Sequence, residues 1–266
     1  INVGVAITAG KLGIGFTDTN IKVGSTALDS LTTGTENTAV GDKALTANTT
    51  GSTNTAVGYE SLDANTTGSN NVGVGRKSLT ENTTGANNTA LGTSALFSNT
   101  TGSDNTSVGF AALDVNTTAS NNTAVGSAAL GANTTGGSNS AVGKDALLVN
   151  TTGDANTAVG AYALDANTTA SNNTALGYLA LTTNVTGSNN TGIGKDSLRD
   201  GTGDDNTGCG AFTLRANSTG SYNVAVGRGA LIKNTTANHN TGVGYGVLYE
   251  NTTGTRNIAI GSYALD

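Results

Sequence analysis

Asn37-Thr38-Ala39-Val40-Gly41 returns unchanged 17 residues later as Asn54-Thr55-Ala56-Val57-Gly58. Variants begin at Asn71, Asn88, Asn105, Asn122, Asn139, Asn156, Asn173 and Asn190, each after another 17 residues. One interval of 16 leads to Asn206, and the period of 17 resumes at Asn223, Asn240 and Asn257. Read backwards, Asn20-Ile21-Lys22-Val23-Gly24 is one more copy, so 15 units occupy residues 20–266, the last one incomplete. A fixed period of this size marks a repeat architecture, in which one unit cannot bury its apolar side alone and stacked neighbours complete it.

Written by position, the unit is Asn-Thr-Ala-Val-Gly-x-x-Ala-Leu-x-x-Asn-Thr-Thr-Gly-x-x. Position 1 is Asn, position 5 is Gly from Gly24 to Gly261, and position 9 is Leu from Leu28 to Leu265. Two glycines and several Asn and Thr per unit make a poor helix. Short β-branched segments between Gly/Asn turns fit strands. The reading is an all-β, parallel β-solenoid (β-roll) of about 15 stacked coils, one per repeat. At the strand spacing of ~4.8 Å, that is a rod of roughly 70 Å. Identical side chains then form ladders. Val40 and Val57 at position 4, with Leu45 and Leu62 at position 9, are expected as aliphatic ladders inside the coil. Small residues at positions 3 and 8 let opposite walls approach. Asn37 and Asn54 stack their amides along the axis. Gly41 and Gly58 mark a corner where φ is positive or a neighbour crowds the backbone.

Composition narrows the function. Charged residues are 11% and aromatics 4% of the 266 residues, with no Pro, Met or Trp. That is too few large side chains for an ordinary globular core and too little charge for a disordered chain. A net charge of −6 without basic clusters gives no footprint for nucleic acid. No long apolar run spans a bilayer. Cys209 stands alone, so there is no disulfide framework. The absence of Met and the opening on Ile1 suggest a removed leader or an excised segment. Two aliphatic side chains per coil bury too little to offset the ordering of a whole coil. Coil-to-coil hydrogen bonding must carry the remainder, and packing against other chains is expected.

The motif Asn-Thr-Ala-Val-Gly-x-x-Ala-Leu resembles the head repeats of the YadA-like trimeric autotransporter adhesins. Similar repeats occur in phage fibres and environmental surface fibre proteins. The resemblance covers residues 20–266 at the level of this short motif. It implies a parallel β-roll, a homotrimer and an adhesive role. The family repeat is typically shorter; here an Asn-Thr-Thr-Gly turn lengthens each unit.

Two stretches break the pattern. In residues 1–19, Val3, Val5 and Ile7 alternate, then Leu12, Ile14 and Phe16. This reads as two short strands, a hairpin that caps the first coil or joins it to another subunit. The last coil, ending at Asp266, has no polar cap, and an open edge invites pairing. A head-to-tail contact between such ends would build filaments. The second irregularity is Gly201-Thr202-Gly203-Asp204-Asp205, where the unit is one residue short and its turn should be reshaped.

Asn-x-Ser/Thr sequons recur at position 12: Asn48, Asn65, Asn82, Asn99, Asn116, Asn133, Asn150, Asn167, Asn184, Asn217, Asn234 and Asn251. Others are Asn87, Asn105, Asn121, Asn172 and Asn189. They are either N-glycan acceptors along one edge or turn chemistry, in which Asn and Thr bond their own backbone. Turn chemistry is favoured, because a glycan on every coil would crowd. Thr ladders raise ice binding, against the plainer reading of β-propensity. His239 is a lone histidine, read as a solvated turn residue, and Cys209 is read as a small buried hydrophobe. Asp29, Asp63, Asp114 and Asp165 recur too intermittently for a calcium repeat. No acid–base pair, metal cluster or activated nucleophile is legible, so no catalytic residue, metal ligand or cofactor is assigned and the chain is not expected to be an enzyme.

The expectation is an extracellular structural or adhesive fibrous protein, a surface adhesin head or the rod of a cell-surface or virion fibre. Its partners would be itself, as a homotrimer or head-to-tail filament, and a host or environmental surface or glycan. An open filament, with or without an N-glycan coat, is one alternative. An ice- or carbohydrate-binding solenoid using Thr/Asn ladders is another. Nucleic acid and membrane spanning are not expected.

Overall fold

A computed structural model describes residues 14–17 and 19–266. The first strand run of the N-terminal segment, Val3 to Ile7, lies outside them. The chain divides into two compact units, residues 1–118 and 119–266.

The first unit holds β1 (Ile14–Thr17), β2 (Asn20–Val23), β3 (Thr38–Val40), β4 (Thr55–Val57), β5 (Val72–Val74), β6 (Thr89–Leu91) and β7 (Thr106–Val108). β1 pairs antiparallel with β2, Ile14 opposite Val23. From β2 to β7 each strand pairs parallel with the next, in a register that sets Thr38 beside Thr55 and Val40 beside Val57. The second unit holds β8 (Thr123–Val125), β9 (Ser140–Val142), β10 (Thr157–Val159), β11 (Thr174–Leu176), β12 (Thr191–Ile193), β13 (Thr207–Cys209), β14 (Val224–Val226), β15 (Thr241–Val243) and β16 (Ile258–Ile260). All are parallel to their neighbours, in the same repeat register. This is the parallel β-solenoid that the 17-residue period predicts, with one strand per repeat. No helix occurs among the described residues.

Hydrogen bonds between coils are not confined to the strands. Thr38 N donates to Asn54 O (2.8 Å), Leu45 N to Ser61 O (3.1 Å), Ala47 N to Asp63 O (3.0 Å) and Thr49 N to Thr66 O (2.9 Å), all on the following coil. Gly41 N donates to Val23 O (2.7 Å) and Thr53 N to Thr35 O (2.9 Å), on the preceding one. Within a unit, an inner coil is thus tied to both neighbours around its perimeter, which is where the stability missing from its small core resides.

Side-chain direction corrects one expectation. The strand covers positions 2 to 4, and alternation along a strand sends 1 and 3 to one face and 2 and 4 to the other. Ala39 and Ala56 at position 3 are fully buried, and so are Asn37 and Asn54 at position 1. Val40 and Val57 at position 4 are half-exposed and face outward. The interior aliphatic ladder is the position-9 leucine alone, buried from Leu28 to Leu248 with φ near 52°, while Leu265 of the last, incomplete unit is exposed. A left-handed conformation costs a leucine of order 1–2 kcal/mol. Burial and the hydrogen bonds on both sides hold it there.

Across the coil, positions 3 and 8 share one volume. Most units pair Ala with Ala, as at Ala39 and Ala44. Where position 8 is Ser78, Ser197, Thr213 or Val247, position 3 of the same coil is Gly73, Gly192, Gly208 or Gly242; Ser61 keeps Ala56 in its own coil and instead faces Gly73 of the next, where a built methyl would lie 2.7 Å from its Oγ. A methyl built on Gly208 would lie 2.6 Å from both Ser197 Oγ and Thr213 Oγ1, and one on Gly242 would lie 3.0 Å from Val247 Cγ1. Interiors this close-packed do not absorb an extra methyl without movement.

Candidate functional surface

Three strips of each coil reach the exterior, and each is built from fixed repeat positions. The first is the sheet face. Position 2 is Thr in most units and position 4 is Val, Leu or Ile, with Cys209 once. Charged side chains fall at positions 6, 7, 10, 11, 16 and 17 throughout the solenoid, apart from Lys22 of the first coil, and never at 2 or 4. The result in each unit is a charge-free face of mostly β-branched residues. Leu91 is 48% exposed in the first unit and Leu176 45% in the second. Cys209 lies on this face and is exposed, not buried as expected, because position 4 points outward.

The second strip is the Asn-Thr-Thr-Gly turn. Asn48, Asn65, Asn82, Asn99 and Asn116 are fully buried in the first unit, as are Asn133, Asn150, Asn167, Asn184, Asn217 and Asn234 in the second; Asn251 is half-buried. Asn65 Nδ2 donates to Gly68 O (3.0 Å) and to Asn48 Oδ1 (3.0 Å). Asn150 Nδ2 donates to Gly153 O (3.0 Å) and Asn133 Oδ1 (2.8 Å). The nitrogen that would carry a glycan is thus inside the coil with both hydrogens used. A closed coil has no room for a sugar there, and the turn-chemistry reading accounts for these residues. Position 1 forms a second ladder: Asn37 Oδ1 accepts Asn54 N (3.0 Å), while Asn37 Nδ2 donates to Gly51 O (2.9 Å) and closes its own coil. Asn105 belongs to this buried series. Asn87, Asn121, Asn172 and Asn189, at position 17, are exposed with φ near 60°. They are the sequons open to solvent.

The turn threonines divide by position. Position-13 hydroxyls are spent on structure: Thr49 Oγ1 donates to Thr66 O (3.0 Å) and Thr151 Oγ1 to Thr168 O (3.0 Å). The short unit keeps this arrangement. Thr202 Oγ1 donates to Ser218 O (2.8 Å), and Asn190 Nδ2 closes the coil on Gly203 O (2.8 Å). The missing residue is therefore position 14. Gly201 replaces the position-12 Asn and interrupts that amide ladder. Asn184 Oδ1 then accepts from Gly187 N (2.9 Å), and buried Asn167 Oδ1 has no protein partner.

The third strip, positions 6, 7, 10 and 11, carries most of the charge and the aromatic rings. Lys43, Glu60 and Lys77 occupy position 7 of three successive coils, with Glu60 3.0 Å from Lys43 and 3.5 Å from Lys77. Hydrogen bonds from Tyr59 and Lys43, with Lys77 beside them, hold the Glu60 carboxyl at about 2. Burial pushes the position-10 carboxyls of Asp114 and Asp165 up. Asp29 pairs with Lys22 at 3.4 Å. No group of three or more His, Cys, Asp or Glu able to hold a metal occurs among the described residues. His239 stacks on Tyr222 with ring centroids 5.0 Å apart, both exposed at position 17.

No protein-family model matches the chain, and no curated protein matches it. Among the described residues, no helix is long and apolar enough to cross a membrane.

Proposed function

We propose that the chain is an extracellular structural or adhesive fibrous protein that acts by rigid, repetitive display. The observation that carries this reading is the sheet face. The same uncharged Thr and Val, Leu or Ile side chains recur on every coil at the strand spacing, and charge is kept to other positions. A surface that offers one weak contact many times binds by avidity, with no need for a single tight site. The same face is an uncovered apolar ladder, and covering it against further copies of the chain removes that surface from water. Self-association through the sheet face, as a closed oligomer or within a filament, belongs to the proposal.

Sedimentation equilibrium of the full chain tests it. The expected result is a discrete oligomer or a filament, dissociated by Val159→Lys with Val226→Lys. A folded monomer at all accessible concentrations would contradict it. Negative-stain microscopy then separates short uniform particles from long continuous fibres. A second reading, ice binding, rests on the position-2 threonines, which face outward on the sheet while the position-13 hydroxyls are bonded to backbone. Thermal hysteresis with ice-crystal shaping would favour it over self-association.

A further inference from the structure

One stretch of the third strip departs from the repeat. In most coils position 7 bears a side chain at φ near 60°, as at Lys43 and Lys77. In two successive coils of the second unit it is Gly229 (φ 69°) and Gly246 (φ 58°). A methyl built on Gly229 would meet nothing within 4 Å, so no crowding demands that glycine. Gly229 opens a depression of about 350 Å³ walled by Phe212, Tyr245, Tyr249 and Tyr263, the last packed over Gly246, where a built methyl would lie 2.9 Å from its ring. That volume falls within the size range of small-ligand pockets. Tyr245 and Tyr263 stand edge to face with centroids 5.2 Å apart. The Arg228 guanidinium lies 5.5 Å from the Phe212 ring and 5.8 Å from that of Tyr245, and its Nη1 donates to Tyr245 Oη (3.1 Å). Tyr162 and Tyr178, the other close tyrosine pair among the described residues (centroids 6.2 Å apart), differ: Tyr162 itself fills position 7 of its coil, and Leu179 and Asp196 fill it in the next two, so no glycine opens space beside them.

We infer that this depression is a binding site for a neutral saccharide. The walls are ring faces and edges with hydroxyl tips, matching the apolar C–H faces and hydroxyl rim of a pyranose. Charge selects against the other small-ligand classes. Arg228 and Lys233 already sit over the rings, Lys233 5.2 Å from the Tyr249 centroid, so a cationic ligand would compete with resident cations. Glu250, 2.6 Å from Lys233, and Asp266 offset those cations and oppose an anion. What remains is an uncharged ligand with many hydroxyls. The site stands independently of the self-association proposed above, which concerns a different strip of the coil.

The test is a printed array of neutral hexose and N-acetylhexosamine oligosaccharides beside sialylated and sulfated ones, followed by calorimetric titration of the best-retained glycan. Retention of neutral glycans is expected. Gly229→Lys, which restores the residue found at the same repeat position in Lys43 and Lys77, fills the depression and weakens binding at least about tenfold. Tyr245→Ala does the same, while Tyr162→Ala leaves binding unchanged; far-UV circular dichroism confirms that each variant is folded. Absence of any retained neutral glycan, retention of acidic glycans alone, or binding indifferent to Gly229→Lys and Tyr245→Ala would overturn the assignment.

Discussion

Gly58 has φ 135°, and a methyl built on it would collide with the carbonyl of Gly75 on the next coil. The two penalties are separate. The backbone conformation, essentially confined to glycine, costs an L-residue of order 1–3 kcal/mol, and the overpacking about 1–3 kcal/mol. Gly58→Ala is therefore expected to destabilise the first unit by several kcal/mol, read as a fall in the urea midpoint. Position 15 is more permissive: Ala119, Ala170 and Ala237 stand there, each nearly buried. At position 12, Asn65→Ala removes a donor to both Gly68 O and Asn48 Oδ1, and a buried acceptor left unpaired costs about 1–3 kcal/mol. An exposed glycan acceptor would show no such loss on substitution, so chemical denaturation of Asn65→Ala tests the burial directly. The sequence made the invariant asparagines and glycines visible but not their direction. A sequon and an inward amide ladder are written with the same letters, and only closure of the coil decides between them.

At the scale of the coil, the coupling of positions 3 and 8 makes a sharper prediction. Gly242→Ala forces a methyl against Val247 and is expected to cost about 1–3 kcal/mol. Adding Val247→Ala returns this coil to the Ala/Ala pair of its neighbours and should recover most of that loss, a coupling that a double-mutant cycle measures. Additive losses would mean the two side chains do not share one space. The Lys43–Glu60–Lys77 ladder gives a pH dependence. The Glu60 pKa is depressed to about 2, so the stability from its ionised form is present above the ordinary carboxylate value of 4.5 and is lost as pH falls toward 2. The melting difference between the native chain and Glu60→Gln should thus be full at pH 6 and shrink through that window. The period, the presence of short strands between Gly/Asn turns, the buried leucine and the small residues at 3 and 8 were all legible in the repeat. The outward turn of position 4 was not. Valine is the bulkiest residue in the strand and invites an inward assignment, yet Asn at position 1 and Ala at position 3 take the interior by alternation. The aromatic depression at Gly229 and Gly246 was also hidden, because a glycine at a variable position looks like one more substitution until its neighbours are in place.

At the scale of the molecule, repetition turns each of these local facts into a surface. An outward valine is a detail on one coil. Repeated without charge along a unit, it is a face with a use, either against further copies of the chain or against an extended target. The repeat also sets how function fails. Each coil holds only its neighbours, so damage to one ladder residue should weaken its own stretch of the solenoid first. All of this rests on closed coils stacked one repeat per strand spacing. Double electron–electron resonance within the second unit measures that stacking most directly, with Cys209 replaced by Ser and spin labels placed on Thr157 of β10 and, in turn, on Thr207, Val224 and Thr241. These partners lie three, four and five strands along the parallel ladder. Backbone separations of about 14, 19 and 24 Å follow from a strand spacing of ~4.8 Å, so the distance should grow by one spacing for each repeat added. Distances that fail to rise in this even step, or that spread broadly for all three pairs, would contradict the stacked solenoid.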